Sequence, residues 1–168
     1  MSNIVGARVD ERLIHGQVAT AWTNNLKATR IMVIDDEIVK STIDKQVLKM
    51  ACPASCKLSI LRLESAITNL QSGKYGDDRI FIVTKYPRIF RRLMEEGVDL
   101  QEVVLGNMAA HGDDAVMLRR SVYVTRAEVE DLMAVGRLGA KVVLRQTPQD
   151  AGDSFVELVE SKGGQLWD

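Results

Sequence analysis

Short apolar runs alternate with longer stretches of helical spacing along the whole chain. The runs are Ile4–Val9, Ile31–Ile34, Leu58–Leu61, Ile80–Val83, Glu102–Leu105 and Lys141–Leu144. Several are nearly continuous in apolar residues and rich in β-branched ones, the pattern of parallel strands covered on both faces. Between them, Val18, Trp22 and Leu26 recur four apart, and Ile43, Val47 and Met50 recur at four and three before Pro53. Ile89, Leu93 and Met94 share a helical face ahead of Gly97, a good C-terminal stop. Thr125 followed by Glu128 predicts a capping box that opens a helix through Val129 and Met133. Phe155 to Val159 predicts a C-terminal helix. Such alternation predicts an α/β fold: an open, doubly wound, mainly parallel sheet with helices on both faces, joined by right-handed crossovers. One interruption, Ala115–Met117 and Ser121–Val124, predicts a short antiparallel hairpin. No linker, repeat or low-complexity segment divides the chain, so residues 1–168 are expected to form a single domain.

Composition narrows the class without naming a function. The 168 residues are 46% hydrophobic and 27% charged, as in an ordinary soluble domain that can bury a core without disulfides or a structural metal. A net charge of −1 offers no general attraction to nucleic acid or an anionic membrane. No run approaches the roughly 20 apolar residues of a membrane span, and no signal peptide is expected at the N-terminus. The cysteines, Cys52 and Cys56, have neither zinc nor redox spacing and precede the third run, so they are read as packing residues.

In open α/β sheets, ligands bind beyond the carboxyl ends of strands. The loop after the first run is the most heavily loaded with chemistry: Arg8-Val9-Asp10-Glu11-Arg12-Leu13-Ile14-His15-Gly16-Gln17-Val18. His15 falls at the start of the first helix, where free N–H groups suit an anion. Arg8 and Arg12 add forked donors matched to phosphate oxygens. A neutral imidazole is nucleophilic near pH 7, and Asp10 can fix its tautomer or orient an arginine. Gly16 lets an anion approach the backbone, and Gln17 adds a further donor. Together these parts fit a histidine that accepts and passes on a phosphoryl group. The same residue types also build packed histidines and solvated salt-bridge networks, and the residues alone leave those readings open. No P-loop and no G-x-G-x-x-G element is present, which argues against nucleotide binding.

This loop, followed by Trp22, closely resembles the opening motif of the mannose/fructose/sorbose-family IIB subunits of the bacterial sugar phosphotransferase system. The likeness continues through Val33-Ile34-Asp35-Asp36-Glu37, Gly97-Val98, Gly106-Asn107-Met108, Leu132 to Gly139, Val142-Val143 and Pro148-Gln149-Asp150. Glu11 stands where a second aspartate is frequent. Around Gly106, many relatives have Asn before the glycine, whereas here Leu105 precedes it and Asn107 follows.

The resemblance implies a protein-Npi-phosphohistidine–sugar phosphotransferase component. His15 would take a phosphoryl group from a IIA phosphohistidine on a separate chain. The group would then pass to a sugar, typically at its 6-hydroxyl, bound in membrane IIC and IID permease subunits. Arg12 and Asp10 map onto active-loop positions, as does Arg8; Arg8, Gly16 and Gln17 are the expected phosphate-binding residues. No metal and no cofactor are expected, nor any nucleic-acid partner. The expected place is the cytoplasm, on the inner face of the membrane through the permease. The rival reading is a non-catalytic regulatory or binding module on the same fold.

Other residues are read more simply. His111 is expected to be a solvated loop histidine. Asp35, Asp36 and Glu37 match a helix dipole better than a metal site. Lys85 and Arg88, after the fourth run, either contact phosphate or partners or are a solvated helix start, with Arg91 and Arg92 extending that basic face.

Overall fold

The computed structural model describes residues 3–162, 166 and 167. Among these residues, nine strands and six α-helices follow in the order β1 (Ile4–Val9), α1 (Gly16–Leu26), β2 (Arg30–Ile34), α2 (Thr42–Ala51), β3 (Lys57–Leu61), α3 (Leu63–Gln71), β4 (Ile80–Thr84), α4 (Pro87–Glu95), β5 (Glu102–Leu105), β6 (Val116–Arg119), β7 (Val122–Val124), α5 (Arg126–Arg137), β8 (Lys141–Leu144), β9 (Asp153–Ser154) and α6 (Phe155–Lys162). A short 3-10 turn, Ile38–Lys40, precedes α2.

Seven strands form one sheet in the order β3-β2-β4-β1-β5-β8-β9, and β6 pairs with β7 separately. Every pair in the large sheet is parallel except β8 with β9. The doubly wound sheet and the antiparallel hairpin therefore stand as expected. The structure adds α3 and the short edge strand β9.

The apolar runs become strands because both faces are covered. All five residues of β4 are buried. One face carries Val9, Met32, Ile34, Ile82 and Leu105, packed with Leu63 and Ile67 of α3, Phe90 and Leu93 of α4, Leu132 of α5 and Phe155 of α6. The other carries Ile31, Val33, Phe81, Val83 and Val104, packed with Ala19 and Trp22 of α1 and Leu48 of α2. Neighbouring strands β1 and β4 thus send their following helices to opposite faces. The segments that leave their carboxyl ends part there, the place where such folds hold ligands.

Local signals hold where tertiary packing agrees with them. Thr125 and Glu128 form both halves of the capping box. Gly97 stands just past α4 at φ 90°. The spacing of Ile43, Val47 and Met50 correctly gives α2, but that face points to solvent, with Ile43 75% and Met50 87% exposed. Only Leu48 of α2 is buried.

Candidate functional site

The β1–α1 loop crosses the carboxyl edge of the sheet and is pinned at several points. Asp10 N–H donates to Thr84 O at 2.9 Å, and Glu11 N–H to Asn107 O at 2.7 Å. Leu13 N–H returns to Asp10 O at 3.0 Å, closing a turn in which Leu13 adopts φ 58°. That conformation disfavours a side-chain-bearing residue. It is compensated here because Leu13 and Ile14 are both buried. With these two side chains turned inward, the next residue emerges into solvent.

That residue is His15. It is exposed and occupies the N-cap of α1 with extended backbone, φ −125° and ψ 105°. Its carbonyl accepts from Ala19 N–H, but its side chain makes no capping bond. Gly16 and Gln17, also exposed, form the first turn. A Cβ on Gly16 would meet nothing within 4 Å. The approach to this helix start is therefore open, with its first amide groups unsatisfied from within the helix.

Asp10 is buried and organises the arginines. It accepts from the Arg12 backbone N–H at 2.9 Å, from Arg12 Nε at 3.1 Å and Nη2 at 3.2 Å, and from Arg8 Nε at 3.3 Å. Asp10 therefore orients arginines, and its hydrogen bonds go to them and not to the His15 ring. Asn107, with its carboxamide turned to satisfy its neighbours, accepts from Arg12 Nε at 2.8 Å. The Arg12 side chain stays one-third exposed at the loop surface.

Arg8, expected among the phosphate-binding residues, lies enclosed by protein groups. It is 2% exposed, and its guanidinium donates to Arg145 O at 2.8 Å and Gln146 O at 3.3 Å besides Asp10. Its Cζ lies 5.0 Å from the centre of the Trp22 ring, a cation–π contact. Burial pulls this guanidinium below its ordinary range, and the Asp10 carboxylate pushes back. In a strand covered on both faces, a charged side chain is retained only with such partners. Arg8 thus supports Asp10 from behind, with Gly106 lying close against the pair.

His111 also differs from expectation. Its main chain lies open, but its side chain is 19% exposed and held at both ends. Nδ1 lies 2.8 Å from Glu128 Oε2 and Nε2 lies 2.7 Å from Glu11 Oε1, with the Tyr86 ring 5.2 Å away. Burial lowers the basicity of this imidazole, but hydrogen bonds to Glu128 and Glu11 outweigh it and raise its pKa. The two carboxylates face opposite ring nitrogens and do not converge. Among the described residues, no group of three His, Cys, Asp or Glu side chains is placed to hold a metal ion.

The remaining candidates are mostly structural. Asp35 is buried and accepts from the N–H groups of Glu37 and Ile38, and Asp36 accepts from Leu63 N–H at the start of α3. These two carboxylates hold the starts of two different elements, the 3-10 turn and α3, in place of the single helix dipole expected. Cys52 and Cys56 are half-buried free thiols. Lys85 is half-buried at the end of β4, and Arg88 lies over the Tyr86 ring at 4.7 Å. Gly106 and Asn107 stand in the motif without an assigned role, and the structure sets them against Arg8, Asp10 and Arg12. The Glu11–His111 link is the part that motif reading missed.

The family model for the sorbose subfamily IIB component of the phosphotransferase system matches residues 4–167. The chain belongs to this family. It is 30% identical over 161 residues to the fructose-specific EIIB component of Bacillus subtilis (strain 168), covering 96% of this chain and 98% of that protein. It is 29% identical over 153 residues to the mannose-specific EIIAB component of Escherichia coli (strain K12), covering 91% of this chain and 47% of that one. The crystal structure of the IIBSor domain of the Klebsiella pneumoniae sorbose permease superimposes with a TM-score of 0.91 at 26% identity, covering 98% and 99% of the two chains. This IIB component accordingly belongs to the machinery of phosphotransferase sugar uptake. No helix among its described residues is long and apolar enough to cross a membrane.

Proposed function

We propose that His15 is a transient phosphoryl carrier, loaded by a IIA phosphohistidine and unloaded onto a sugar held by membrane IIC and IID subunits. The observation that carries the reading is the exposed His15 at a helix start without a side-chain cap, on the same loop as an arginine fixed by a buried aspartate. In the loading step, the donor imidazole nitrogen departs with the electron pair of the breaking P–N bond. A ring nitrogen of His15 forms the new P–N bond in line, and the proton lost from the His15 ring ends on the donor imidazole. In the unloading step, a sugar hydroxyl oxygen takes phosphorus, and its proton ends on the His15 nitrogen that phosphorus leaves.

Such a transfer depends on positioning and on donors aimed at the equatorial oxygens. Arg12 supplies charge, and Asp10 holds it in one orientation with two hydrogen bonds. The amides of the first turn of α1 supply a second set of donors. Asp10 is engaged by both arginines, so it is not a base for water, which suits a carrier whose phosphoramidate must survive until transfer. The name of the Escherichia coli relative joins A and B in one component, which supports a IIA donor for this chain.

The test is to incubate the chain with the general phosphotransferase components and a mannose-family IIA protein, then to seek phosphohistidine by phosphorus NMR. An acid-labile signal that disappears in His15→Ala is the expected result. No signal with a competent donor would move the chain to a regulatory or binding role.

A further inference from the structure

Behind the arginine–aspartate pair lies a second basic feature. A cleft of about 410 Å³ opens between the turn of the β6–β7 hairpin and the segment from Arg145 to Asp153. That volume lies within the ~300–1,000 Å³ range of small-molecule sites. Three arginines line it: Arg119, Arg120 and Arg145.

Their charge is incompletely used. Arg120 is exposed, with no hydrogen-bond or ion-pair partner among the described residues. Arg119 reaches Asp153 at 3.4 Å, and Arg145 reaches Glu102 at 3.4 Å. Both distances exceed the ~2.7–2.9 Å of a well-formed charge-assisted hydrogen bond. The Nε–H of Arg145 is buried and has no partner among the described residues. A buried donor left in this state costs free energy, and a guanidinium turned toward an acceptor in the cleft would recover it. Gly152, at φ 81°, lies against that group, where a Cβ would stand 3.3 Å from Arg145 Nε. The cleft also holds two carboxylates, but Asp150 is turned onto the backbone N–H groups of Gln146 and Thr147 at 2.9 and 3.1 Å. Asp153 is left as an acceptor near the rim.

We infer that this cleft binds a phosphomonoester of hexose-phosphate size, its phosphate held by Arg120 and by the Arg145 guanidinium turned toward it, and its hydroxyls facing Asp153. The naming of a sugar phosphate rests on the carrier reading, because that is the class of product such a transfer releases; the anion chemistry stands on the cleft alone. The site is separate from His15 yet adjoins its support, since the carbonyls of Arg145 and Gln146 hold Arg8.

The experiment follows the arginine Nε–H resonances of the full chain by proton–nitrogen NMR during titration with inorganic phosphate, fructose 6-phosphate and fructose. A saturable shift of the Arg145 Nε–H with both phosphates, and none with fructose, is expected. Arg120→Ala, at an exposed position, should weaken binding about tenfold or more, on the scale of a hydrogen bond to a charged group. His15→Ala should leave it unchanged. No saturable shift, shifts confined to residues 8–16 and lost in His15→Ala, or unaltered affinity in Arg120→Ala would each overturn the assignment. The carrier reading fails separately: a His15 that a competent IIA cannot load, beside an Arg145 signal that still moves, removes the carrier and keeps the cleft.

Discussion

Gly106 lies so close to the Arg8 guanidinium that a Cβ there would stand 2.2 Å from Arg8 Nη2 and 2.8 Å from Asp10 Oδ2. Arg8 has no room to yield, because Trp22, two carbonyls and Asp10 already fix it. Gly106→Ala should therefore disturb a buried ion pair and lower stability by about 2 kcal/mol or more. Urea unfolding measures this, and the rate of His15 loading should fall in the same variant. An alanine tolerated within ~0.5 kcal/mol would show that the pair can shift freely.

Arg12 and Asp10 should separate charge from orientation. Arg12→Ala is expected to slow loading by ~10²–10³-fold, the scale of one removed oxyanion donor. Asp10→Asn keeps the shape and weakens the grip on both arginines, so it should slow loading and also lower stability. Rapid-quench measurement of phosphohistidine formation, paired with unfolding curves, distinguishes the two. Equal rates in Arg12→Ala and the unsubstituted chain would remove Arg12 from the site.

The His111 link makes stability depend on pH with a definite sign. Its pKa in the folded state lies above the ordinary value of about 6.5, so the protonated form binds its two carboxylates best. The stabilisation is complete below the unfolded value and is lost as pH rises through the folded one. Melting temperature should therefore fall across that interval, and the fall should vanish in His111→Gln. An identical pH profile in both proteins would show that the imidazole does not titrate with folding.

Helix α2 offers a contrast within one turn. Met50 is 87% exposed and Leu48 is 5% exposed. Met50→Gln should change stability by no more than ~0.5 kcal/mol, whereas Leu48→Ala should cost about 2–5 kcal/mol. Thermal unfolding of the two variants checks both figures. A large loss from Met50→Gln would mean that the stripe is covered in solution.

Much of this architecture is legible in the chain, and the reasons are local. Ile80–Val83 reads as a buried strand because both faces need apolar residues, and the Thr125–Glu128 box depends only on residues three apart. The β1–α1 loop announces its chemistry by the density of charged groups. What is not legible depends on distance. Arg8 looks like a phosphate ligand until Trp22 and the Arg145 and Gln146 carbonyls, more than a hundred residues further on, enclose it. His111 looks like a loose loop residue until Glu11, 100 positions earlier, meets its ring. The periodicity of Ile43, Val47 and Met50 gives a helix but not the side on which the sheet lies.

A side chain at the N-cap can close the first turn of a helix, and at His15 of α1 none does. In the proposed carrier, an arriving phosphoryl oxygen would occupy that place, and the cargo would become the missing cap. Loading and local tightening would then be one event, and the first-turn amides should exchange with solvent more slowly in the phosphorylated chain than in the free one. A partner that touches this turn would sense from backbone order alone whether the carrier is full.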